Sequence, residues 1–414
     1  MISFEDIIGY DGIKEELKKL ITVLNDVDRF KQNKVTIPMG VLLHGDPGLG
    51  KTMMAHAFVN NLKRKKVFIQ KDLPDGEFVN YFKARIREAI SNAPSVVFLD
   101  DLDKFSNNDA RHKNSDEFVT LQTLIDEARG KDVFFIATAN DLENIPDSML
   151  RTGRFDIRIE FQKPNVNHSI ELVKHFLKNK KTSDDFDLDE IANLLIDGSI
   201  TDLETIINDA YINAICSGRD YIDYYDVLNS ALKTLFSIID EETECDENSL
   251  LATAVHEAGH ALTSELLEPN SVNFVTIKGN ELYGGLTCQR KSIKHRYDFN
   301  SLCNKIKVAL GGKVATDIRF HQPDLGDSSD LSRAYHIVRD LYTDYGISDY
   351  SLLNYYSENA RHTLDDYINK FLKEQEKQLR ELLLLNIDKF NLLVDELLNK
   401  KTIRGKELRA LLNS

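Results

Sequence analysis

Residues 41–52 read VLLHGDPGLGKT, and residues 95–101 read SVVFLDD. The first is an apolar strand that runs into a glycine-rich loop and then into a helix. That is the context in which GxxxxGK[ST] cradles phosphate groups. Its glycines let backbone N–H groups curl around an anion. The loop residues Gly45, Asp46, Pro47, Gly48, Leu49 and Gly50 would enclose the phosphates of ATP, Lys51 would reach the β- and γ-phosphates, and Thr52 would hold Mg²⁺. The second stretch ends a neighbouring strand in two carboxylates. Asp100 is suited to the Mg²⁺ shell and Asp101 to orienting the attacking water.

The pattern continues outward from these two strands. VFIQ (67–70) and FFIAT (134–138) are further strands, with helices predicted from Lys51, over 77–91 and over 116–128. Strands with little polar alternation, separated by helices, predict an α/β module with a parallel sheet covered on both faces. FFIAT is expected to close the series. It leads to Asn140, whose amide can position the lytic water. Arg151 and Arg154 follow in RTGRFD, beyond the last expected strand, where they would reach a neighbouring subunit's phosphates in a cyclic oligomer. Pro164 opens an all-helical stretch to about 235, and the acidic stretch DEETECDEN (240–248) reads as a linker or a helix cap region. The expected division is 1–163, an α/β nucleotide-binding domain; 164–240, a small all-helical domain; and 241–414, a mainly helical domain with one strand-like insert at 272–278.

The 414 residues carry a formal charge of -15, with 42% apolar and 29% charged residues. These values fit a folded chain of two or three domains and disfavour a nucleic-acid groove as the main feature. The basic run Lys63–Lys66 reads as a solvated turn or helix end. Four cysteines without a CxxC pair read as reduced thiols. The run LRELLLLNIDKFNLLVDELL (379–398) is broken by charges and reads as an amphipathic helix, not a membrane span.

HEAGH at 256–260 lies in a stretch of helical periodicity. His256 and His260 fall one turn apart on one face, where both can bind a metal. Glu257 can take a proton from water beside it. Gly259 costs a helix about 1 kcal/mol and suggests close packing there. A hydrolytic zinc site needs a third protein ligand, and the residues leave several: Asp317, His321, Asp324, Asp327, Asp330 and His336.

These motifs, in this order, resemble the FtsH family of ATP-dependent zinc metalloproteases over essentially the whole chain. The opening ISFEDIIGYDGIKEELKKL (2–20), IPMGVLLHGDPGLGKT (37–52), MLRTGRFD (149–156) and GSITDLETIINDA (198–210) are similar to its ATPase segments. HEAGHA (256–261), ALGGKVATD (309–317), GDSSDLSRA (326–334) and YGIS (345–348) are similar to its peptidase segments. The resemblance implies that 1–163 is an AAA+ module, 164–240 its helical lid and 241–414 a mainly helical zinc-peptidase domain. It implies ATP and Mg²⁺ at the phosphate loop, with Asn140 sensing the γ-phosphate and Arg151 and Arg154 acting across a subunit boundary. It implies Zn²⁺ on His256, His260 and Asp330, with Glu257 as base. It also implies a homo-oligomer, a hexameric ring that unfolds and cuts polypeptides, with no nucleic-acid partner and no adaptor named. Family members usually carry N-terminal membrane segments. The chain would be cytoplasmic if complete and membrane-associated if truncated.

Three further positions depart from the family: Asp101 stands where it has Glu, Thr316 where it usually has Glu, and EFVNYFKARIREAI (77–90) lacks the glycines of its pore loop. Phe78, Tyr81 and Phe82 there either grip substrate or form the buried face of a helix. The expected function is an ATP-dependent zinc endopeptidase. The alternatives are a zinc endopeptidase for flexible polypeptides with a weakly translocating ATPase, and a remodelling ATPase with a structural zinc. A helicase or clamp loader would leave HEAGH unexplained.

Overall fold

The computed structural model describes residues 2–71, 75–105, 116–239, 246–280, 284–290, 298–322, 328–345 and 358–413. They form two compact units, Met1–Ser230 and Ala231–Ser414. Residues 164–230 of the expected lid group with the sheet in the first unit.

The first unit is built on a parallel sheet of β1 (Gly40–His44), β2 (Lys65–Gln70), β3 (Ser95–Asp100), β4 (Val133–Ala139) and β5 (Ile157–Glu160). The strand order is β2-β3-β4-β1-β5. All seven residues of β4 are buried, as are nearly all of β1 and β3, because helices cover both faces. The sheet does not close at FFIAT. β5 adds beyond β1, with Val41 opposite Ile157 and His44 opposite Glu160. IRIE escapes a search for apolar runs because only Ile159 is fully buried. An edge strand needs less apolar surface than a central one.

Arg64, expected in a solvated turn, is a structural cation. Its side chain is 2% exposed, pairs with Asp132 at 2.9 Å and donates to the carbonyl of Leu24. The lid residues form helices Val166–Phe176, Leu188–Leu194, Ile200–Cys216 and Tyr224–Phe236. Two short strands, β6 (Lys181–Thr182) and β7 (Tyr221–Ile222), pair between them.

The second unit packs around a histidine helix (Glu247–Leu267), which Asp246 caps by accepting from the backbone N–H groups of Asn248 and Ser249. This helix is buried almost all round from Ala254 to Glu265, as expected of the central helix of a bundle. The strand-like insert is not alone. β8 (Val272–Thr276) lies between β9 (Leu286–Gln289) and β10 (Thr402–Arg404) in an antiparallel sheet. The run 379–398 is two helices, Glu358–Leu385 and Ile387–Lys400, interrupted at Asn386. No helix among the described residues is long and apolar enough to cross a membrane. Cys216 and Cys303 are free thiols; Cys245, most of the expected 240–248 stretch and most of YGIS lie outside the described residues.

Candidate functional sites

The phosphate loop joins β1 to the helix Lys51–Asn60. Gly45, Gly48 and Gly50 all have positive φ, at 136°, 75° and 84°, a region that other L-residues rarely adopt. A Cβ on Gly45 would lie 2.2 Å from the carbonyl oxygen of Phe161, and one on Gly48 would lie 2.2 Å from Thr201 Oγ1. Lys51 Nζ is folded into the loop, donating to the carbonyls of Gly45 at 2.8 Å and Asp46 at 2.7 Å. Burial lowers its pKa against the opposing pull of Asp101, Asp103, Asp46 and Asp100.

β3 delivers its carboxylates to the loop. Asp100 Oδ1 accepts from Thr52 Oγ1 at 2.9 Å and from Thr138 Oγ1 at 2.6 Å. The Thr138 hydroxyl also accepts from the Asp101 backbone N–H at 2.9 Å. Asp101 has φ of 52°, where Asp is better tolerated than most side chains, and it pairs with Lys104 at 2.7 Å. Asn140, half-buried, follows β4. The two arginines differ. Arg151 is exposed, whereas Arg154 is tied within its own unit to Ser148 O at 2.6 Å and Asp126 at 2.9 Å.

In the second unit, the histidine helix meets the helix Gly311–Phe320 at a point where both carry glycine. A Cβ on Gly259 would lie 2.4 Å from the Gly311 carbonyl oxygen, and one on Gly312 would lie 2.3 Å from the His256 ring. This contact explains the GG of ALGGKVATD. It sets the His256 and His260 rings against Asp330, in the first turn of the helix Ser328–Thr343. His256 Nε2 and His260 Nε2 are 3.0 Å apart, and Asp330 Oδ2 lies 3.1 Å from His260 Nε2 and 3.4 Å from His256 Nε2. Three tetrahedral ligands about 2.1 Å from zinc would be about 3.4 Å apart. The donor set and its spacing fit that ion. The other ring nitrogen of His260, Nδ1, lies 2.7 Å from Val308 O, the kind of contact that fixes a ligand's tautomer and direction. Burial opposes ionisation of Asp330, but the two histidines outweigh it and hold the carboxyl well below the usual range. Glu257 is buried, and burial pushes its pKa up against His260, Thr287 and His256.

The other third-ligand candidates go elsewhere. Asp317 pairs with Lys313 at 3.3 Å and Arg380 at 3.4 Å. His321 caps the helix Gly311–Phe320 in the left-handed region, and His336 stacks edge-on against Tyr335. Asp324 and Asp327 lie outside the described residues. His256, His260 and Asp330 are the metal-capable cluster found among the described residues.

Comparison with known proteins agrees with this geometry. Residues 41–163 match the ATPase family associated with various cellular activities (AAA), and residues 243–411 match peptidase family M41. An ATP-dependent zinc metalloprotease FtsH of Caldicellulosiruptor bescii is 30% identical, over 99% of this chain and 72% of its own length. The chain belongs to the FtsH family. An FtsH of Ruminiclostridium cellulolyticum is 28% identical over 98% of this chain and 71% of its own length. The FtsH 2 of a Thermoanaerobacter species is 26% identical, covering 99% and 82%.

Within this FtsH framework, Phe78 and Phe82 form the buried face of the helix Asp75–Ser91. Both are fully buried, with Phe78 stacked on Phe82 at 5.3 Å and on Phe105 at 4.9 Å. Tyr81 is half-buried against the same core. Thr316, where the family usually has Glu, turns its hydroxyl to the carbonyls of Gly312 and Lys313 in its own helix. Sequence reasoning missed Thr138, Val308 and Thr287. Their roles come from strand and helix neighbours far away in the chain, and no local pattern marks them.

Proposed function

We propose that the chain is an ATP-dependent zinc metalloendopeptidase that draws in polypeptides and cuts them; its relatives are named ATP-dependent zinc metalloproteases. The observation that carries this is the convergence of His256, His260 and Asp330 beside the buried Glu257. Bound zinc would supply Lewis-acid polarisation of water and of the scissile carbonyl. His256, His260 and Asp330 would hold it, with Val308 O steering His260. Glu257 accepts the proton of the attacking water and delivers it to the departing amine.

In the ATPase half, Thr52 and Asp100 would hold Mg²⁺. Thr52 Oγ1 and Asp100 Oδ1 are 2.9 Å apart, so Thr52 would bind the ion and Asp100 would hold its shell through water. Lys51 neutralises phosphate charge, Asp101 orients the lytic water and Asn140 senses the γ-phosphate. Arg151 acts across a subunit boundary of a homo-oligomer, proposed as a six-membered ring. Arg154 can join it only by releasing Asp126. The proposed domains remain 1–163, 164–240 and 241–414, acting on protein substrates without nucleic acid.

Cleavage of an unfolded, labelled protein by the zinc-loaded chain with Mg²⁺ and ATP tests this. Glu257→Gln should abolish cleavage but leave ATP hydrolysis intact, and Lys51→Ala should abolish ATP hydrolysis and the ATP-dependent part of cleavage. Cleavage by Glu257→Gln at the wild-type rate sinks the assignment.

The burial of Phe78 and Phe82 favours a second reading. Aromatic side chains locked in a core do not grip a passing chain. The enzyme would then cut flexible polypeptides and pull weakly on folded ones. ATP-dependent loss of a tagged, stably folded substrate at the rate of its unfolded form would rule this out.

A further inference from the structure

β9 is an edge strand that passes the base of the peptidase site and begins one residue after a close backbone approach. A Cβ on Gly285 would lie 2.7 Å from Glu257 Cγ and 2.9 Å from both Thr253 Cγ2 and the Thr276 carbonyl oxygen. The strand is therefore pressed onto the Glu257 side chain, and register with β8 holds it there, Leu286 opposite Thr276 and Thr287 opposite Val275. Thr287 Oγ1 then lies 2.7 Å from Glu257 Oε2 and 3.2 Å from the Glu257 carbonyl oxygen. A hydroxyl has one proton to donate, and the shorter contact, to a carboxylate oxygen, is the stronger.

We infer that Thr287 is a positioning residue for the general base: its hydroxyl fixes Glu257 Oε2, leaving Oε1 to take the proton of the attacking water. Glu257 is 6% exposed, so little water competes for Oε2. Without the hydroxyl, this hydrogen bond no longer restrains rotation about the last side-chain bond. The base must sit within about 0.5 Å of its working position, and a misplacement of about 1 Å costs on the order of 10²-fold. The inference rests on Glu257 being the base, as proposed above.

The test uses the zinc-loaded full chain and a flexible fluorogenic peptide. Thr287→Val keeps the shape and the β-branch and removes the donor. It should lower kcat about tenfold, with KM within twofold and zinc content unchanged. Thr287→Ser restores the donor and should return kcat to within twofold of wild type. If Thr287→Val melts early or loses zinc, Thr287→Ala replaces it in the same comparison. Infrared spectra of the zinc-free protein give a readout independent of catalysis. The band that disappears in Glu257→Gln should shift in Thr287→Val and not in Thr287→Ser. An unshifted band, wild-type kcat in Thr287→Val, or a Thr287→Ser variant as slow as Thr287→Val overturns the inference. If the wild-type chain cleaves nothing, the peptidase assignment fails, and the band shift still decides the role of Thr287.

Discussion

Gly259→Ala should damage the peptidase unit even though it improves the helix that carries it. Alanine in place of glycine favours an isolated helix by about 1 kcal/mol. Here the new Cβ would lie 2.4 Å from Gly311 O, 2.5 Å from Ala315 Cβ and 2.9 Å from Gly311 C. Comfortable contact for carbon begins at about 3.5 Å, so the two helices must part by roughly 1 Å. Two of the three atoms are backbone and cannot rotate away, which puts the overpacking cost near the upper end of about 1–3 kcal/mol. The net is about 2 kcal/mol of destabilisation, a fall in Tm of roughly 4–8 °C for a unit of this size. The same movement draws Val308 O, three residues before Gly311, away from His260 Nδ1, which it now meets at 2.7 Å. Zinc occupancy at limiting metal should fall, and peptide cleavage should drop by about 10²-fold. Differential scanning calorimetry, metal analysis and a peptide assay on one preparation measure all three. A variant that melts at or above the wild-type temperature, with full zinc and full activity, would refute the reasoning.

Other outcomes follow from the same geometry. Asp330→Ala removes the oxygen ligand from the cluster and should weaken zinc binding at least tenfold while leaving ATP hydrolysis unchanged, as equilibrium dialysis and a phosphate-release assay will show. Asp101→Asn keeps the left-handed backbone, where Asn is equally at home, and should lower ATP turnover by at least 10² without weakening nucleotide binding measured by fluorescence titration. His168 is half-buried beside Ile8 O at 2.9 Å, and burial lowers its pKa. The folded state therefore binds this proton less readily than the unfolded chain. Stability is present above the ordinary histidine value of 6.5 and is lost as pH falls through the lowered one. His168→Gln should narrow the difference in melting temperature between pH 7.5 and pH 5.5 relative to wild type.

Much of this protein was legible without coordinates because its two chemistries depend on short-range sequence. GDPGLGKT needs three glycines at fixed places in one loop, and HEAGH needs two ligands one helical turn apart. Both requirements are met within eight residues. Strands β1, β3 and β4 were equally plain, since a strand buried on both faces must be apolar throughout. What stayed hidden was whatever needs little apolar surface or depends on distant partners. IRIE carries two charges and still completes the sheet, because an edge strand buries only one face. β9 and β10 were invisible for a similar reason: four and three residues long, they are strands only because β8 lies beside them.

The sequence by itself determined two catalytic modules, their order, and the residue types each employs. The tertiary structure shows what spacing alone leaves open. Asp330, which the family resemblance already implied, joins the histidines where Asp317, His321 and His336 do not, because the glycine contact between two helices fixes where their rings point. Phe78 and Phe82 go to the core, because Phe105 offers them a buried partner. Thr287 meets Glu257 across thirty positions of chain, because an antiparallel register presses one strand onto one helix. Local sequence specifies local conformation and chemistry; the choice among distant partners is made by packing, which only the folded chain carries out.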